Sequence, residues 1–422
     1  MLTPLARHLA VSLLAFVFTA ALVRPVTGAA ATHPHPEGDD VDLWVAAGQS
    51  NMQGVALLPP ATTPNPLVRV FDLTGQWVEA TPPTHRVYAA SAPVFKRLIF
   101  KMNPSLTEAQ WAKLQEDDRA GRGGGLGPDL GFADLLARAT GRRIGLIPCA
   151  LGGTNLTQWS PSLRDQGTES LYGNMLHRIQ QVGGRIKGVI WYQGEGQSGS
   201  RESADRFTAD FLNLIDSLRR DTGIPDLPFI YVQIGRFANE DRSTDPFWQM
   251  IQEHQRNAAA LRPNLWVVPS VDLALDDLIH IGTEGQQRLG RRLAETALTH
   301  VYGKAGYATP INYVSHEILP STQALHHCLR VRFSGVTGRL QSAGRPAGFE
   351  LIPEDPKKQG PMVYKVEFDP ADPASVLVWY SREIKAPVKL VYGLGMDRYT
   401  NITDGRDMAI PAFGPVIVTP QP

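Results

Sequence analysis

Residues 41–54, VDLWVAAGQSNMQG, join an apolar segment to a cluster of polar residues. Every second residue from Val41 to Val45 is apolar, which is the period of a β-strand, and Gly48 is typical of the end of such a strand. Ligands of open α/β sheets bind beyond the carboxyl ends of the strands. Ser50 is therefore either a turn residue or a nucleophile displayed at that edge.

Short apolar segments alternate with helical patterns over the first part of the chain. We predict strands at 43–47, 143–148, 188–192, 229–234 and 265–268. Helices are predicted at about 129–139, 169–182, 203–220 and 246–260, with a further one after Thr283. Asp245 is the expected cap of the fourth helix, with Pro246 in its first turn, and Thr283 with Gln286 forms a capping box for the last. This alternation predicts an α/β domain over residues 41–304, with a doubly wound, parallel five-stranded sheet.

A long insertion, residues 55–128, separates the first strand from its helix. It is rich in proline, with one helical stretch near 107–119 and the run GRGGGLGP at 121–128. The glycine spacing fits neither the dinucleotide fingerprint nor a phosphate-binding loop. We expect a mobile wall or lid over the edge of the sheet.

The pattern changes near residue 305. Alternating segments such as LRVRF and YKVEF predict a small β-rich region over 305–422. This region either binds glycan or covers an edge of the sheet, and exposed aromatic residues on one face would favour glycan binding.

The N-terminus has the pattern of a secretory signal peptide over residues 1–30, with an apolar run at 9–23 and small residues after it. An uncleaved membrane anchor is the alternative, but the run is short for a membrane span. Residues 31–40 then form a linker, in which His33 and His35 are expected in a solvated tail. The sequence predicts export, to the periplasm or the medium, with no membrane attachment after cleavage.

The composition excludes a strong global charge. The 422 residues include 41 Lys and Arg and 41 Asp and Glu, so the formal net charge is zero. No global field attracts nucleic acid or an anionic membrane, and a charged substrate must be recognised locally. With only Cys149 and Cys328 present, two buried thiols are expected rather than a disulfide scaffold.

A nucleophilic serine needs a base, and the base needs an acid that orients it. The segment DLALDDLIHIGTEG at 272–285 offers an Asp-x-x-His unit, Asp277 and His280, beyond the last predicted strand. That is the same edge of the sheet as Ser50. Asp276 and Asp272 are alternative orienting acids, and a capping aspartate beside a surface histidine is the non-catalytic alternative.

A second serine competes for the role of nucleophile, because the tripeptide GQS occurs again with Ser198. Ser198 lies in a Gly- and Ser-rich stretch, whereas Ser50 closely follows a hydrophobic strand, which favours Ser50. No Gly-x-Ser-x-Gly elbow is present, which argues against an α/β-hydrolase.

Two further strand ends carry groups able to stabilise an oxyanion. The segments ALGGTNLTQW and WYQGEGQSGS follow the second and third predicted strands. Candidate donors are the N–H of Gly152 or Gly153, the N–H of Ser50 and the side-chain amide of Gln193. Tight turns at the glycines and a satisfied polar side chain at Gln193 are the structural alternatives.

The ordered blocks GQSNM at 48–52, GGT followed by Trp159, WYQGE at 191–195 and DDLIH at 276–280 resemble the SGNH hydrolase superfamily. The resemblance is strongest to its sialate O-acetylesterases and to the acetylxylan esterases of carbohydrate esterase family six. It spans about residues 41–302 and implies a flavodoxin-like sheet with no cofactor and no metal. It also assigns Ser50 as nucleophile, His280 as base, Asp277 as orienting acid, and Ser50, Gly153 and Gln193 as the oxyanion hole. Supporting or substrate-binding positions would be Gln49, Asn51, Gly152, Thr154, Trp159 and Glu195.

The resemblance implies a carbohydrate O-acetylesterase that forms an acyl-enzyme and releases acetate, most similar to the sialate O-acetylesterases. An acetylxylan or general short-chain esterase is the alternative, and a non-catalytic carbohydrate-binding protein is the alternative of another class. Acetylated sialic acid is a carboxylate, for which Arg164 or Arg236 could provide the cation. After Glu195, the third block of this sequence departs from the family's usual pattern, which leaves the role of that residue open. A glycosylation sequon at Asn155, inside the second block, favours a bacterial source.

Overall fold

The computed structural model describes residues 33–420 except positions 37, 39, 62, 242, 322–325 and 356. The predicted signal peptide, residues 1–30, lies outside the described residues. His35, in the predicted linker, is buried with its ring edge-on to Trp77, at 4.6 Å between centroids. The solvated tail expected for this histidine is therefore wrong, because an aromatic ring of the insertion covers it.

The main sheet has seven strands in the order β3-β2-β4-β1-β5-β6-β7. Their bounds are β1 Val41–Gly48, β2 Val68–Phe71, β3 Trp77–Glu79, β4 Arg143–Pro148, β5 Gly188–Tyr192, β6 Phe229–Gln233 and β7 Leu265–Pro269. All pairs are parallel except β2 with β3. The five predicted strands form the flavodoxin-like order β4-β1-β5-β6-β7. The predicted count of five is wrong, since the insertion adds β2 and β3 at one edge.

The helices alternate with these strands. Their bounds are α1 Ser50–Gln53, α2 Pro93–Met102, α3 Glu108–Arg119, α4 Asp129–Thr140, α5 Leu171–Gln181, α6 Arg201–Thr222, α7 Asp245–Ala258 and α8 Thr283–His300, with 3-10 segments at Pro161–Glu169 and Glu195–Gln197. The helices predicted from the sequence are all present, whereas α1 and α2 were not predicted. Within the described ranges, no helix is long and apolar enough to cross a bilayer.

The predicted capping box of α8 is wrong. The helix begins after Gly282, and the hydroxyl of Thr283 donates to the carbonyl of Leu57 at 2.6 Å. Gln286 donates through Nε2 to the carbonyl of Asn51 at 3.1 Å. Both side chains thus bind backbone carbonyls of the segment that follows β1 instead of capping their own helix, so the start of α8 is held against that segment.

The predicted cap of α7 is also corrected. Asp245 is the first residue of the helix, and its carboxylate accepts the N–H of Met396 at 2.6 Å and the side-chain amide of Gln249 at 3.2 Å. A contact with the C-terminal region thus takes the place of the local cap.

The insertion is packed onto the sheet domain. Four apolar residues of α2 are buried in the common core, namely Val94, Phe95, Leu98 and Ile99. The glycine run contacts the segment after α1, since Leu126 N–H donates to Ala56 O at 2.8 Å. A Cβ on Gly125 would stand 2.4 Å from that same carbonyl, so the close backbone approach requires glycine. The insertion therefore forms a wall beside the segment that carries Ser50.

The C-terminal region is β-rich, as predicted. Its strands are β8 Asn312–Leu319, β9 His327–Ser334, β10 Gln341–Ser342, β11 Phe349–Pro353, β12 Val363–Phe368, β13 Ser375–Tyr380, β14 Val388–Tyr392, β15 Ile402–Thr403 and β16 Phe413–Val418. They form sheets in the orders β12-β13-β9-β8, β11-β14-β16 and β10-β15. Cys149 and Cys328 are both free and buried, as expected.

This region shares one hydrophobic core with the sheet domain. At the end of β6, Gln233 donates to Ala412 O at 2.9 Å and accepts the N–H of Ala412 at 2.8 Å. Such paired bonds between buried groups favour a fixed cover over the carboxyl end of the sheet rather than a separate module.

Candidate active site

Ser50 lies at the carboxyl edge of the sheet, where the sequence placed it. Strand β1 ends at Gly48, whose φ is 133°, and a Cβ there would stand 2.1 Å from the carbonyl oxygen of Tyr192. Gln49 N–H donates to that carbonyl at 2.8 Å. The chain therefore turns sharply against the end of β5, and Ser50, half-buried, begins the short helix α1.

Asp277 holds His280 in the loop between β7 and α8. Its Oδ2 lies 2.6 Å from His280 Nδ1, and its Oδ1 accepts the N–H groups of Ile279 at 2.8 Å and His280 at 2.7 Å. Desolvation acts to raise the pKa of Asp277, but the hydrogen bonds from His280 and from the backbone outweigh it and lower this pKa. The carboxylate is thus kept charged, with the Nδ1 proton directed to it.

The two alternative acids are used elsewhere. Asp272 pairs with Arg292 at 2.7 Å and with Arg288 at 3.0 Å. Asp276 meets His280 through the backbone, its N–H donating to His280 O at 2.9 Å. Asp277 is therefore the acid in contact with the imidazole.

The side chain of Asn51 connects the loop that carries His280 to the segment that carries Ser50. The residue is buried, and its Nδ2 donates to Ile279 O at 3.3 Å while its Oδ1 accepts Ile281 N–H at 3.0 Å. These backbone groups flank His280. Because Asn51 directly follows Ser50, one side-chain amide holds the base beside the nucleophile. From the sequence, Asn51 was expected only as a supporting or substrate-binding residue.

Glu195 fastens the same segment from the other side. Its Oε1 accepts Asn51 Nδ2 at 3.1 Å, and with the Gln49 amide oriented to satisfy its neighbours, Oε2 accepts Gln49 Nε2 at 3.2 Å. Burial raises the pKa of Glu195, and the hydrogen bond from Asn51 and the nearby His280 oppose this shift. Glu195 thus bridges the two residues that flank Ser50, which gives it the positioning role that the sequence left open.

The candidate oxyanion donors differ in availability. Gly152 N–H donates to Gln53 Oε1 at 2.7 Å and is therefore occupied. Gly153, with φ of 70°, is exposed, and in the part of the chain that the structure describes, the N–H groups of Ser50 and Gly153 have no acceptor. These two backbone groups are the available pair.

Gln193 does not match the predicted oxyanion role in this structure. Its side chain is fully buried, and its Nε2 donates to Oε1 of Gln197 within the turn after β5. The third block of the sequence thus contributes a buried amide pair rather than an exposed donor. Sequence alone could not distinguish the two, because both place an amide at a strand end.

Thr154 and Trp159 stabilise the loop that follows β4 and contains Gly152 and Gly153. The Thr154 hydroxyl donates to Leu151 O at 2.7 Å and accepts Trp159 Nε1 at 3.1 Å, and both residues are fully buried. The Trp159 ring packs edge-on against Trp191 at 5.2 Å between centroids. These residues stabilise the loop and do not reach solvent. Gly152 is the member that lies against the nucleophile, since a Cβ there would stand 3.3 Å from the Ser50 Cβ.

Ser198 lacks the surroundings of a nucleophile. It is buried, and its hydroxyl donates to Glu195 O at 2.8 Å at the end of a 3-10 turn.

Of the two candidate arginines, Arg164 pairs with Asp221 at 3.0 Å and Arg236 with Asp397 at 2.6 Å. Across the described ranges, no three His, Cys, Asp or Glu side chains are grouped to hold a metal ion.

The sheet order, Ser50 at the end of its central strand, and the Asp277–His280 pair fit the SGNH class of hydrolases. Residues 40–299 match the family described as carbohydrate esterase, sialic acid-specific acetylesterase. This match covers more than half of the chain, and the protein belongs to that family.

Individual proteins are also similar to this chain. A protein of Arabidopsis thaliana described as "Probable carbohydrate esterase" is 28% identical over 280 residues, which is 61% of this chain and 90% of the relative. The crystal structure of XAC1771, a carbohydrate acetylesterase from Xanthomonas citri, superposes with a TM-score of 0.64 at 22% identity, covering 88% of this chain and 80% of that one. The crystal structure of NanS is similar at a TM-score of 0.44 and 15% identity, over 63% of this chain and 99% of that chain.

Proposed function

We propose that this carbohydrate esterase is a serine O-acetylesterase with Ser50 as nucleophile. The Ser50 hydroxyl attacks the ester carbonyl and passes its proton to His280. His280 then donates that proton to the departing sugar oxygen, leaving an acetyl group on Ser50. A water molecule, deprotonated by His280, attacks the acetyl-enzyme, and His280 returns that proton to the Ser50 oxygen as acetate leaves.

The observation that carries this proposal is the 2.6 Å contact between Asp277 and His280 in a loop fastened to the residue after Ser50. A carboxylate at Nδ1 fixes the tautomer in which Nε2 accepts a proton, and it stabilises the imidazolium that forms. The N–H groups of Ser50 and Gly153 would bind the oxyanion of the tetrahedral intermediate.

For the substrate, we propose an O-acetylated sialic acid, a choice supported by the family of residues 40–299. A carboxylate substrate calls for a local cation. Arg236 is favoured over Arg164 because it follows β6 at the carboxyl edge of the sheet, and its neighbour Ala238 donates its N–H to Leu278 O, next to Asp277, at 2.7 Å. The signal pattern of residues 1–30 supports action outside the cytoplasm.

The test is acetate release from O-acetylated sialic acids, acetylated xylan and an aryl acetate. Ser50→Ala should abolish release from every substrate, whereas Ser198→Ala, at the other GQS serine, should retain it. Activity that survives Ser50→Ala would overturn the nucleophile assignment. A preference for acetylated xylan over acetylated sialic acid would overturn the substrate proposal and leave the mechanism intact.

A further inference from the structure

Met102, the last residue of α2, lies beside Gly153, whose N–H is one of the two available oxyanion donors. A Cβ built on Gly153 would stand 2.9 Å from the Met102 sulfur, so this side chain lies against the Gly153 backbone. Met102 keeps 41% of its surface exposed. An exposed methionine belonging to the insertion thus borders the catalytic edge of the sheet.

The helix that carries Met102 is firmly held. The apolar face of α2 is buried, and the Arg97 guanidinium on the same helix donates to the carbonyl oxygen of Glu169. The Arg97 Nε also lies 3.6 Å from the Glu169 carboxylate. The buried face and the contact from Arg97 thus hold α2 against the core and against the 3-10 segment that ends at Glu169.

The order of strands places Met102 on the side of Ser50 opposite His280. Gly153 follows β4, and His280 follows β7, whereas β1, which leads to Ser50, lies between them in the sheet. The departing sugar oxygen must lie beside His280, which protonates it. The carbonyl oxygen then points toward the N–H groups of Ser50 and Gly153, and the acyl group, bonded to the same carbon, lies near the side chains that border Gly153, of which Met102 is one.

We infer that Met102 is the specificity residue that closes the acyl side of the cleft and restricts the enzyme to short acyl groups. This inference rests on the proposed serine esterase function. Each methylene in such an apolar site changes the specificity constant by about 10- to 200-fold. Shortening Met102 should therefore admit longer acyl chains without affecting the catalytic residues.

The experiment compares kcat/KM for p-nitrophenyl acetate, propionate and butyrate. Met102→Ala and Met102→Ser should each raise the butyrate-to-acetate ratio by about tenfold or more. Met102→Leu, similar in volume, should keep the wild-type ratio. Met362→Ala is the matched control, because Met362 is also exposed but lies beside β12 in the C-terminal region.

The outcomes separate the two proposals. If the wild type hydrolyses these esters but both shortened variants keep its ratio, Met102 does not set acyl length and the inference is overturned alone. If the wild type hydrolyses none of them, the proposed function falls and the inference falls with it. An equal shift in Met362→Ala would show an effect unrelated to the cleft and would also overturn it.

Discussion

The side chain of Asn51 bonds to the backbone on both sides of His280. Its amide donates to Ile279 O at 3.3 Å and accepts Ile281 N–H at 3.0 Å. Because Asn51 follows Ser50 in the chain, the spacing between nucleophile and base depends on one buried amide whose hydrogen-bonding groups are all engaged. The two halves of the catalytic set, far apart in sequence, are thus joined directly.

Replacing Asn51 with Ala should lower kcat on the order of 100-fold, because small misplacements of a catalytic group have effects of that size. The change also leaves Ile281 N–H and one Glu195 oxygen without their partner, which should lower the free energy of unfolding by about 1–3 kcal/mol. Steady-state kinetics on an aryl acetate and urea denaturation measure the two effects.

Asn65→Ala is the control for this loss of side-chain bonds. Asn65 lies in the insertion and likewise uses both ends of its amide, donating to Asp134 at 2.8 Å and accepting Leu67 N–H at 3.0 Å. It should lose stability while kcat remains at the wild-type level. Equal kcat values for the Asn51 and Asn65 variants would contradict the positioning role of Asn51.

Asp277→Asn should reduce kcat by about 10³- to 10⁴-fold, because an amide at this position favours the wrong imidazole tautomer. Stability should change little, since Asp277 is half-exposed. Asp276→Asn, at the adjacent exposed position, should retain activity. If Asp276→Asn had the larger effect, the choice between the two acids would be wrong.

The pKa of Asp277 gives the sign of a pH effect. The pKa of Asp277 in the folded protein lies below 3.8, so its carboxylate is charged above that pH. The charge, and the contribution it makes, is lost as the pH falls through the folded pKa. Inactivation of the wild type at mildly acidic pH should therefore not arise from this residue. Asp277 therefore stays charged in the wild type from pH 5 to 8. The factor by which Asp277→Asn lowers kcat, compared at equal protonation of the base, should be the same across this range.

The sequence predicted correctly those features that depend on residues close together in the chain. The strand β1, the turn at Gly48 and the Asp277–His280 spacing depend on neighbouring residues, and each was visible in the sequence. The failures involve distant partners: Thr283 and Gln286 have the pattern of a capping box, yet both bind carbonyls of the segment after β1. Tertiary acceptors outcompeted the local cap, and no single-sequence rule identifies such acceptors.

The sheet edge illustrates the same limit. Strands β2 and β3 are short and lie in a proline-rich insertion, where periodicity is weak. The role of Asn51 depends on a loop more than two hundred residues away. Pairing of this kind is fixed by the folded arrangement, so the sequence could supply the residue types of the site but not the bonds that position them.

Asp407→Asn should destabilise the whole protein by about 1.5–3 kcal/mol, because the aspartate joins the C-terminal region to α8 through charge-assisted hydrogen bonds. Its carboxylate lies 2.6 Å from Arg288 and 3.4 Å from the fully buried Arg292. Asparagine keeps the size and tolerates the positive φ of 66° but removes the charge that faces these arginines. Urea denaturation measures the loss.

The same experiment tests whether the two regions unfold together. Their common core predicts one transition in the wild type and in Asp407→Asn. Asp355→Asn, an exposed position that accepts a local Lys357 N–H, should change stability by less than about 0.5 kcal/mol. Two separate transitions in the wild type would contradict a fixed cover over the sheet.

Asp118 in the insertion should make stability depend on pH in the opposite sense to a salt-bridged carboxylate. It is fully buried, and its Oδ2 accepts the N–H groups of Tyr88 at 2.6 Å and Ala89 at 3.1 Å. Burial raises its pKa from 3.8 to about 6, although these hydrogen bonds oppose the shift. Its contribution to stability is therefore fully present below about pH 4 and is lost as the pH rises through about 6.

Asp118→Asn removes this titration. Between pH 4 and pH 7 the unfolding free energy of the variant, relative to wild type, should rise by on the order of 2 kcal/mol. Asp117→Asn is the control, because hydrogen bonds from Arg122 and Lys113 lower the pKa of Asp117, and its titration lies below this range. Urea denaturation at pH 4, 5, 6 and 7 measures both. A difference for Asp118→Asn that stays constant with pH would mean that the buried carboxyl keeps an ordinary pKa, and burial would then not govern it.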